Sequence, residues 1–498
     1  MKRRLLGAVL VGTGSAFLLV ATAGDYGLTW DEPTYVAIAN HVTRWFSGLR
    51  CPGAIALFEP QRLHEDWPFA TRANRNLPVP ILVSIAGHSA SERWLPPPES
   101  YRLGHCLLMA LTLGVLFGCL DASRGPEAAV VGAASLLLMP QAFAHAHFDA
   151  TDVPVSCFWV LATLAWLRPA SSRRADGLTA LVVGLGLASK ATFALLPAVL
   201  ALHMVLFRQW QLWRRGLALL LLSPIVMLAF CPMWWPHPLA SEGGYLWRVL
   251  HASAHWKIDL YYLGRSYVEN YPWHNGFVLL AVGTPPWTLA LAVFGACFAL
   301  YRRDPSGGVW TLGALTLPLL RVLPSSAAHD GMRLMMPSLF CLAPLAACGF
   351  ADVCALLGPL RLKAAARWAM IATLLALGVR AIASMHPYEV SYYSEAIGGL
   401  PGASRLGFEV TYWFDALTPQ ALREIEDRLP EGARVWTAPH YTGYRLLRKW
   451  GAWRPDLASE DSDEDPDYAL HLDADYLILY TRKGYLERVP FLHETLET

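Results

Sequence analysis

Charge is what this sequence has least of. Only 16% of its 498 residues are Asp, Glu, Lys or Arg, against roughly 25% in ordinary soluble domains. The two signs nearly cancel, leaving a formal net charge of +1, so no basic field is offered to nucleic acid. Its nine cysteines contain no C-x-x-C pair, and all but Cys51 lie in apolar stretches. Neither a disulfide framework nor a thiolate zinc site is indicated. Internal repeats and low-complexity stretches are also missing. What takes the place of charge is apolar mass, 54% hydrophobic residues with 20 tryptophans. That excludes a disordered chain and a water-soluble globule and leaves a polytopic α-helical membrane protein.

A bilayer crossing needs about 20 mostly apolar residues. Such runs stand near 5–23, 101–120, 127–144, 153–168, 177–190, 191–207, 216–235, 276–300, 308–324, 334–357 and 367–385, about 11 transmembrane helices. Lys2, Arg3 and Arg4, then Arg168, Arg173 and Arg174, then Arg208, Arg214 and Arg215, then Arg302 and Arg303, and lastly Arg361, Lys363 and Arg367 all fall on one side of these crossings. By the positive-inside rule that side is the cytoplasm. The first segment also fits a cleaved signal peptide, with Ala21-Thr22-Ala23 after its apolar run.

Three outward segments are long: 24–100, 236–275 and the tail 386–498. The tail has a soluble rhythm. Thr418 to Leu429 reads as a helix with Thr418 as N-cap and Pro419 at its first position. Arg434 to Thr437 and Tyr476 to Tyr480 read as strands. The expected organisation is a membrane module over 1–385 and a small extracytoplasmic α/β cap over 386–498. The acidic run from Glu460 to Asp465 lacks the Gly and spacing of a calcium loop, so it reads as a solvated loop.

Chemistry concentrates in a few places. Asp31-Glu32 follows the first span, where a falling dielectric raises a carboxylate's proton affinity toward that of a useful base. Its bland alternative is helix capping before Pro33. Phe143 to Pro154 packs His145, His147, Asp149 and Asp152 into one short outward turn, costly unless functional. These are also divalent-metal ligand types, though not at a helical metal spacing, so a divalent metal stays open. A simple N-cap at Asp152 is the alternative. Lys190 and Arg333 stand at outward turns, where each either snorkels to headgroups or neutralises a phosphate. Arg72 and Arg75 are weaker candidates of the same kind. His251 and His255 share a helix face but lack a third ligand.

The order of these motifs resembles the GT-C glycosyltransferases of glycosyltransferase family 39, with the protein O-mannosyltransferases and the aminoarabinose transferases among them. The resemblance rests on Thr29-Trp30-Asp31-Glu32-Pro33-Thr34-Tyr35, on Phe143 to Phe148 through Asp152-Val153-Pro154, on Gly186 to Lys190 and on His329-Asp330-Gly331-Met332-Arg333. Tyr101-Arg102-Leu103 matches the opening of the family's second span, and His386-Pro387-Tyr388 with Tyr392-Tyr393 and Gly398-Gly399 is similar to members carrying an outer cap. One departure is Asn76 to Pro80, where the family often has His-Pro-Pro-Leu. The resemblance favours keeping the first segment as a span. It implies Asp31 as catalytic base with Glu32 beside it, and Asp149 and Asp152 with His145 and His147 as a second acidic loop. Arg333, Lys190 and His329 would contact the donor phosphate.

The expected function is therefore inverting transfer of a sugar from a polyprenyl-phosphate carrier to a hydroxyl on the extracytoplasmic face of a bacterial inner membrane. Protein Ser/Thr, a glycolipid and a cell-wall polymer all remain open as acceptors. The rival readings are a transporter or lipid flippase, which would carry inverted repeats and midplane charges, and a lipid-linked oligosaccharide ligase.

Overall fold

The computed structural model describes residues 2–71, 76–250, 259–323, 326, 331–356, 362–439, 441–459 and 474–486. Among them, five helices are long and apolar enough to cross a membrane: Lys2–Ala21, Glu99–Arg124, Trp210–Ala229, Arg333–Leu356 and Ala364–Ala383. Shorter apolar helices complete the bundle, among them Pro126–Leu137, Asp152–Trp166, Ala191–Leu206 and Pro286–Arg302. The protein is a polytopic α-helical membrane protein.

Two expected continuous spans are broken. The segment 127–144 forms Pro126–Leu137 and Pro140–His145, and the segment 276–300 forms Asn275–Val282 and Pro286–Arg302. In each case a proline follows the break, where its ring and missing N–H end the i→i−4 ladder. The long segment 24–100 is not open loop either. It folds into Glu32–Gly48, Pro60–Asp66 and the apolar helix Val79–Ser91, which packs along Glu99–Arg124.

Helix association inside a bilayer gains little from burial of apolar area, so small residues that allow close backbone approach matter most. Gly295 of Pro286–Arg302 faces Gly349 of Met336–Leu356, and a Cβ on Gly295 would fall on the backbone of Leu345 and Gly349. At one end of the bundle the helices are cross-tied by ion pairs: Arg4 with Asp121 (3.7 Å), Arg302 with Asp352 (2.6 Å), Arg367 with Glu127 (3.4 Å) and Arg124 with Asp304. Arg215 binds Asp176 (3.0 Å) and also donates to the carbonyls of Trp166, Arg168 and Pro169. It thereby satisfies the C-terminal carbonyls of Asp152–Trp166, where a cation also suits the helix dipole.

The tail sits at the opposite end. Strand Arg434–Ala438 pairs in parallel with Ala458–Ser459 and Tyr476–Leu479. Helix Pro419–Glu426 is capped by the Thr418 hydroxyl, which accepts from the Ala421 N–H at 3.2 Å. A further antiparallel pair, Leu260–Tyr262 with Arg265–Tyr267, touches the tail through a bridge from Tyr262 to Phe408. The tail's core, built on Phe414, Leu422, Tyr441, Trp453 and Tyr480, takes in Leu28 from the loop after the first helix. The Tyr441 hydroxyl donates to the Leu28 carbonyl at 2.8 Å.

Where the last helix hands over to the tail, His386 bridges two carboxylates. Its Nδ1 lies 2.9 Å from Glu389 and its Nε2 3.0 Å from Asp25. The hydrogen bond to Glu389, with that to Asp25, raises the imidazole to about 9 against desolvation. The protonated ring thus stabilises the folded state fully below an unfolded value of about 6.5, and that contribution fades as pH rises through about 9. Limited proteolysis of the tail is expected to accelerate between pH 7 and 10, and His386→Gln should flatten that dependence.

Candidate functional site

Four side chains from helix termini converge at the tail-covered end of the bundle, alternating in sign. The Lys190 ammonium lies 2.7 Å from Asp152 Oδ1, and Arg333 Nε lies 3.3 Å from Asp152 Oδ2. The other arm of Arg333 pairs with Asp31 Oδ2. Asp152 is buried, while Asp31 and Arg333 keep 26% and 21% of their side chains exposed, enough for a ligand to reach them.

Asp31 occupies the N-cap position of Glu32–Gly48, yet its φ of −84° and ψ of −27° are helical and its side chain makes no capping bond. Asp152 likewise opens Asp152–Trp166 without a capping role, being held by Lys190 and Arg333. Lys190 comes from the turn after Arg173–Leu187, where its extended backbone (φ −154°, ψ 142°) separates two helical pieces. Arg333 starts the turn before Met336–Leu356 and follows Gly331, whose φ of +59° only glycine adopts readily.

The tail supplies a fifth member that the sequence does not point to. The Trp413 indole N–H donates to Asp31 Oδ2 at 3.0 Å, and the Arg333 guanidinium lies 3.7 Å from the Trp413 ring centroid. His145 stacks on that ring at 5.4 Å with an interplanar angle of 24°. Trp413 is one of 20 tryptophans, and nothing local distinguishes it.

Glu32 plays a different part from Asp31. It is buried and binds Arg102 through both oxygens, at 2.8 and 3.0 Å. It also accepts from the Thr29 N–H and hydroxyl and from the Asp149 N–H. Arg102 spends its remaining N–H groups on the carbonyls of Ala23, Tyr26 and Gly27. The pair therefore holds the loop that carries Asp31 and ties it to the 145–152 turn. The sequence does carry a signal for Arg102, because a lone Arg in an apolar run demands a partner.

The turn itself does not converge on a metal. His147 uses one nitrogen on the Phe143 carbonyl (2.7 Å) and the other on the Thr22 hydroxyl (2.8 Å). His145 Nδ1 binds the Gln141 carbonyl (2.7 Å). Asp149 accepts from Ser84 (2.9 Å), with His105 Nε2 3.8 Å from its other oxygen. Burial, and then the nearby Glu32 carboxylate, push Asp149 well above the usual carboxylate range. Among the described residues no three metal-ligating side chains gather around one point. His329, Arg72, Arg75, His251, His255 and the acidic run 460–465 lie outside the described residues.

Residues 98–235 match the family model of dolichyl-phosphate-mannose-protein mannosyltransferases. None of the curated proteins is matched. Among solved structures, the apo form of ArnT from Cupriavidus metallidurans superposes with a TM-score of 0.57 at 16% identity, over 93% of this chain and 87% of that one. The undecaprenyl phosphate-bound form of the same ArnT superposes at 0.55 and 17% identity, over 92% and 86%. This is a GT-C fold. The matched segment carries Arg102 and the whole 145–152 turn, together with Lys190, whereas Asp31, Arg333 and Trp413 lie outside it.

Proposed function

We propose that this GT-C protein is a membrane glycosyltransferase that moves a sugar from a polyprenyl phosphate to a hydroxyl acceptor by inverting single displacement. The observation that carries the reading is the alternating row Lys190, Asp152, Arg333, Asp31 at one end of an ArnT-like fold. Each cation is paired with an acid. A donor phosphate arriving at Lys190 and Arg333 substitutes for those acids, and the guanidinium can take it through a two-pronged fork. Asp31 is then released from its ion pair and left free for the acceptor.

In the chemical step the acceptor oxygen forms a bond to the anomeric carbon as the bond from that carbon to the phosphate oxygen breaks. The bonding electrons leave with the polyprenyl phosphate, and the acceptor's proton passes to Asp31. Phosphate leaves without protonation, so one carboxylate suffices where a glycosidase needs two. Arg333 and Lys190 stabilise the charge developing on the leaving oxygen. Glu32 and Asp149 act as supports: with Arg102 they set the position of the Asp31 loop.

The basic, ion-paired end of the bundle faces the cytoplasm under the positive-inside rule. The site and a C-terminal cap over 386–498 then face outward from a bacterial inner membrane. The transporter reading is disfavoured because the singular charges sit at helix termini under the tail.

Binding of undecaprenyl phosphate to the protein in nanodiscs tests the phosphate assignment. Losing one charge-assisted contact worth about 1.5–3 kcal/mol should weaken binding about 10–100-fold in Arg333→Ala and in Lys190→Ala. Wild-type affinity in both variants would refute the assignment.

A further inference from the structure

We infer that Trp413, supplied by the C-terminal tail, is a positioning residue for Asp31: it ties down Oδ2 and leaves Oδ1 as the atom that takes the acceptor's proton. This rests on the transfer reading above. The two oxygens of Asp31 are unequal. Oδ2 receives both the Trp413 indole N–H, at 3.0 Å, and Arg333, and among the described residues these are the hydrogen bonds made to the Asp31 carboxylate, leaving Oδ1 without a donor. The Asp31 side chain is 26% exposed, and Oδ1 is its oxygen without a donor, so we assign the incoming hydroxyl to Oδ1.

Trp413 is itself unable to swing away. Its carbonyl accepts from the Trp30 N–H at 3.2 Å, one residue before Asp31. Arg333 covers its ring, His145 stacks on it, and Phe148 meets it edge-on at 5.3 Å. His145 is in turn fixed by the Gln141 carbonyl. The indole therefore gives a donor of fixed direction, and the tail completes the site rather than merely covering it.

A hydrogen bond to the charged form of a carboxylate favours that form. The other groups facing Asp31 are Arg333, with Asp152, Lys190 and Tyr412 behind it, Tyr35 along the same helix and His145 across the indole. Trp413→Phe keeps an aromatic ring beside Arg333 and His145 while removing the N–H and the five-membered ring that carries it.

The test is carbodiimide labelling of Asp31 in nanodisc-held protein, read by peptide mass spectrometry as a function of pH, with the thermal melt as the control for folding. Trp413→Phe should move the labelling midpoint up by about one pH unit, a tenfold change in proton affinity. If the phenyl variant fails to fold, Trp413→1-naphthylalanine retains a bicyclic ring without the donor. An unchanged midpoint in a folded variant overturns the role of Trp413 and leaves the transfer reading intact. Wild-type glycans from a deletion strain carrying Asp31→Asn would instead overturn the proton-accepting role of Oδ1, whatever the midpoint does.

Discussion

Asp31→Asn is expected to lower sugar transfer by about 10²–10⁴-fold, the range that a positioned general base contributes. The amide keeps the size of the side chain and can still accept from the Trp413 N–H. It loses the negative charge that takes the proton and pairs with Arg333. Folding should therefore survive, and undecaprenyl phosphate should bind at least as well, because Arg333 then has only Asp152 to leave. Complementation of a deletion strain, with glycans and glycolipids compared by mass spectrometry, reads the first effect whatever the acceptor is. Near wild-type product from the Asn protein would end the assignment of Asp31 as base.

The second large effect concerns stability. Glu32 and Arg102 are both essentially inaccessible, at 1% and 0% exposure, and every N–H group that Arg102 points inward has a carboxylate or carbonyl partner. Arg102→Met leaves a buried carboxylate without its cation and strands the carbonyls of Ala23, Tyr26 and Gly27. Breaking one side of a buried pair in this way costs about 3–5 kcal/mol, and the variant should unfold at much lower temperature or fail to accumulate. Adding Glu32→Gln should recover part of the loss, because the uncompensated charge is gone. A single Arg102→Met protein that melts like wild type would show that the pair does not hold the Asp31 loop.

The elements of the tail show where local sequence is sufficient. Thr418 followed by Pro419 specifies a helix start through its own hydroxyl, and the observed helix Pro419–Glu426 uses it. The strands expected at 434–437 and 476–480 appear as Arg434–Ala438 and Tyr476–Leu479. Within the bundle the apolar runs coincide with helices, but the breaks before Pro140 and Pro286 and the folding of 24–100 are not legible in them. A run of apolar residues reports burial in lipid, and it does so equally for one helix or for two helices joined at a proline.

Glu32 illustrates the limit at single-residue resolution. Adjacent to Asp31 in sequence, it reads as a second member of the catalytic pair, yet on a helix start the two side chains diverge by about 100°. One turns to Arg333 and Trp413, the other to Arg102, Thr29 and the Asp149 N–H.

By itself the sequence determined that the chain inhabits a bilayer, which ends of its helices carry the arginines and which residue types could do chemistry. These follow from transfer energies and local hydrogen bonding, properties of a residue and its near neighbours. Only the tertiary structure decided which acid meets which cation, because Asp31 lies 302 residues from Arg333 and 382 from Trp413. Partners at such separations are chosen by how helices pack and where the tail docks, and no local pattern records that choice.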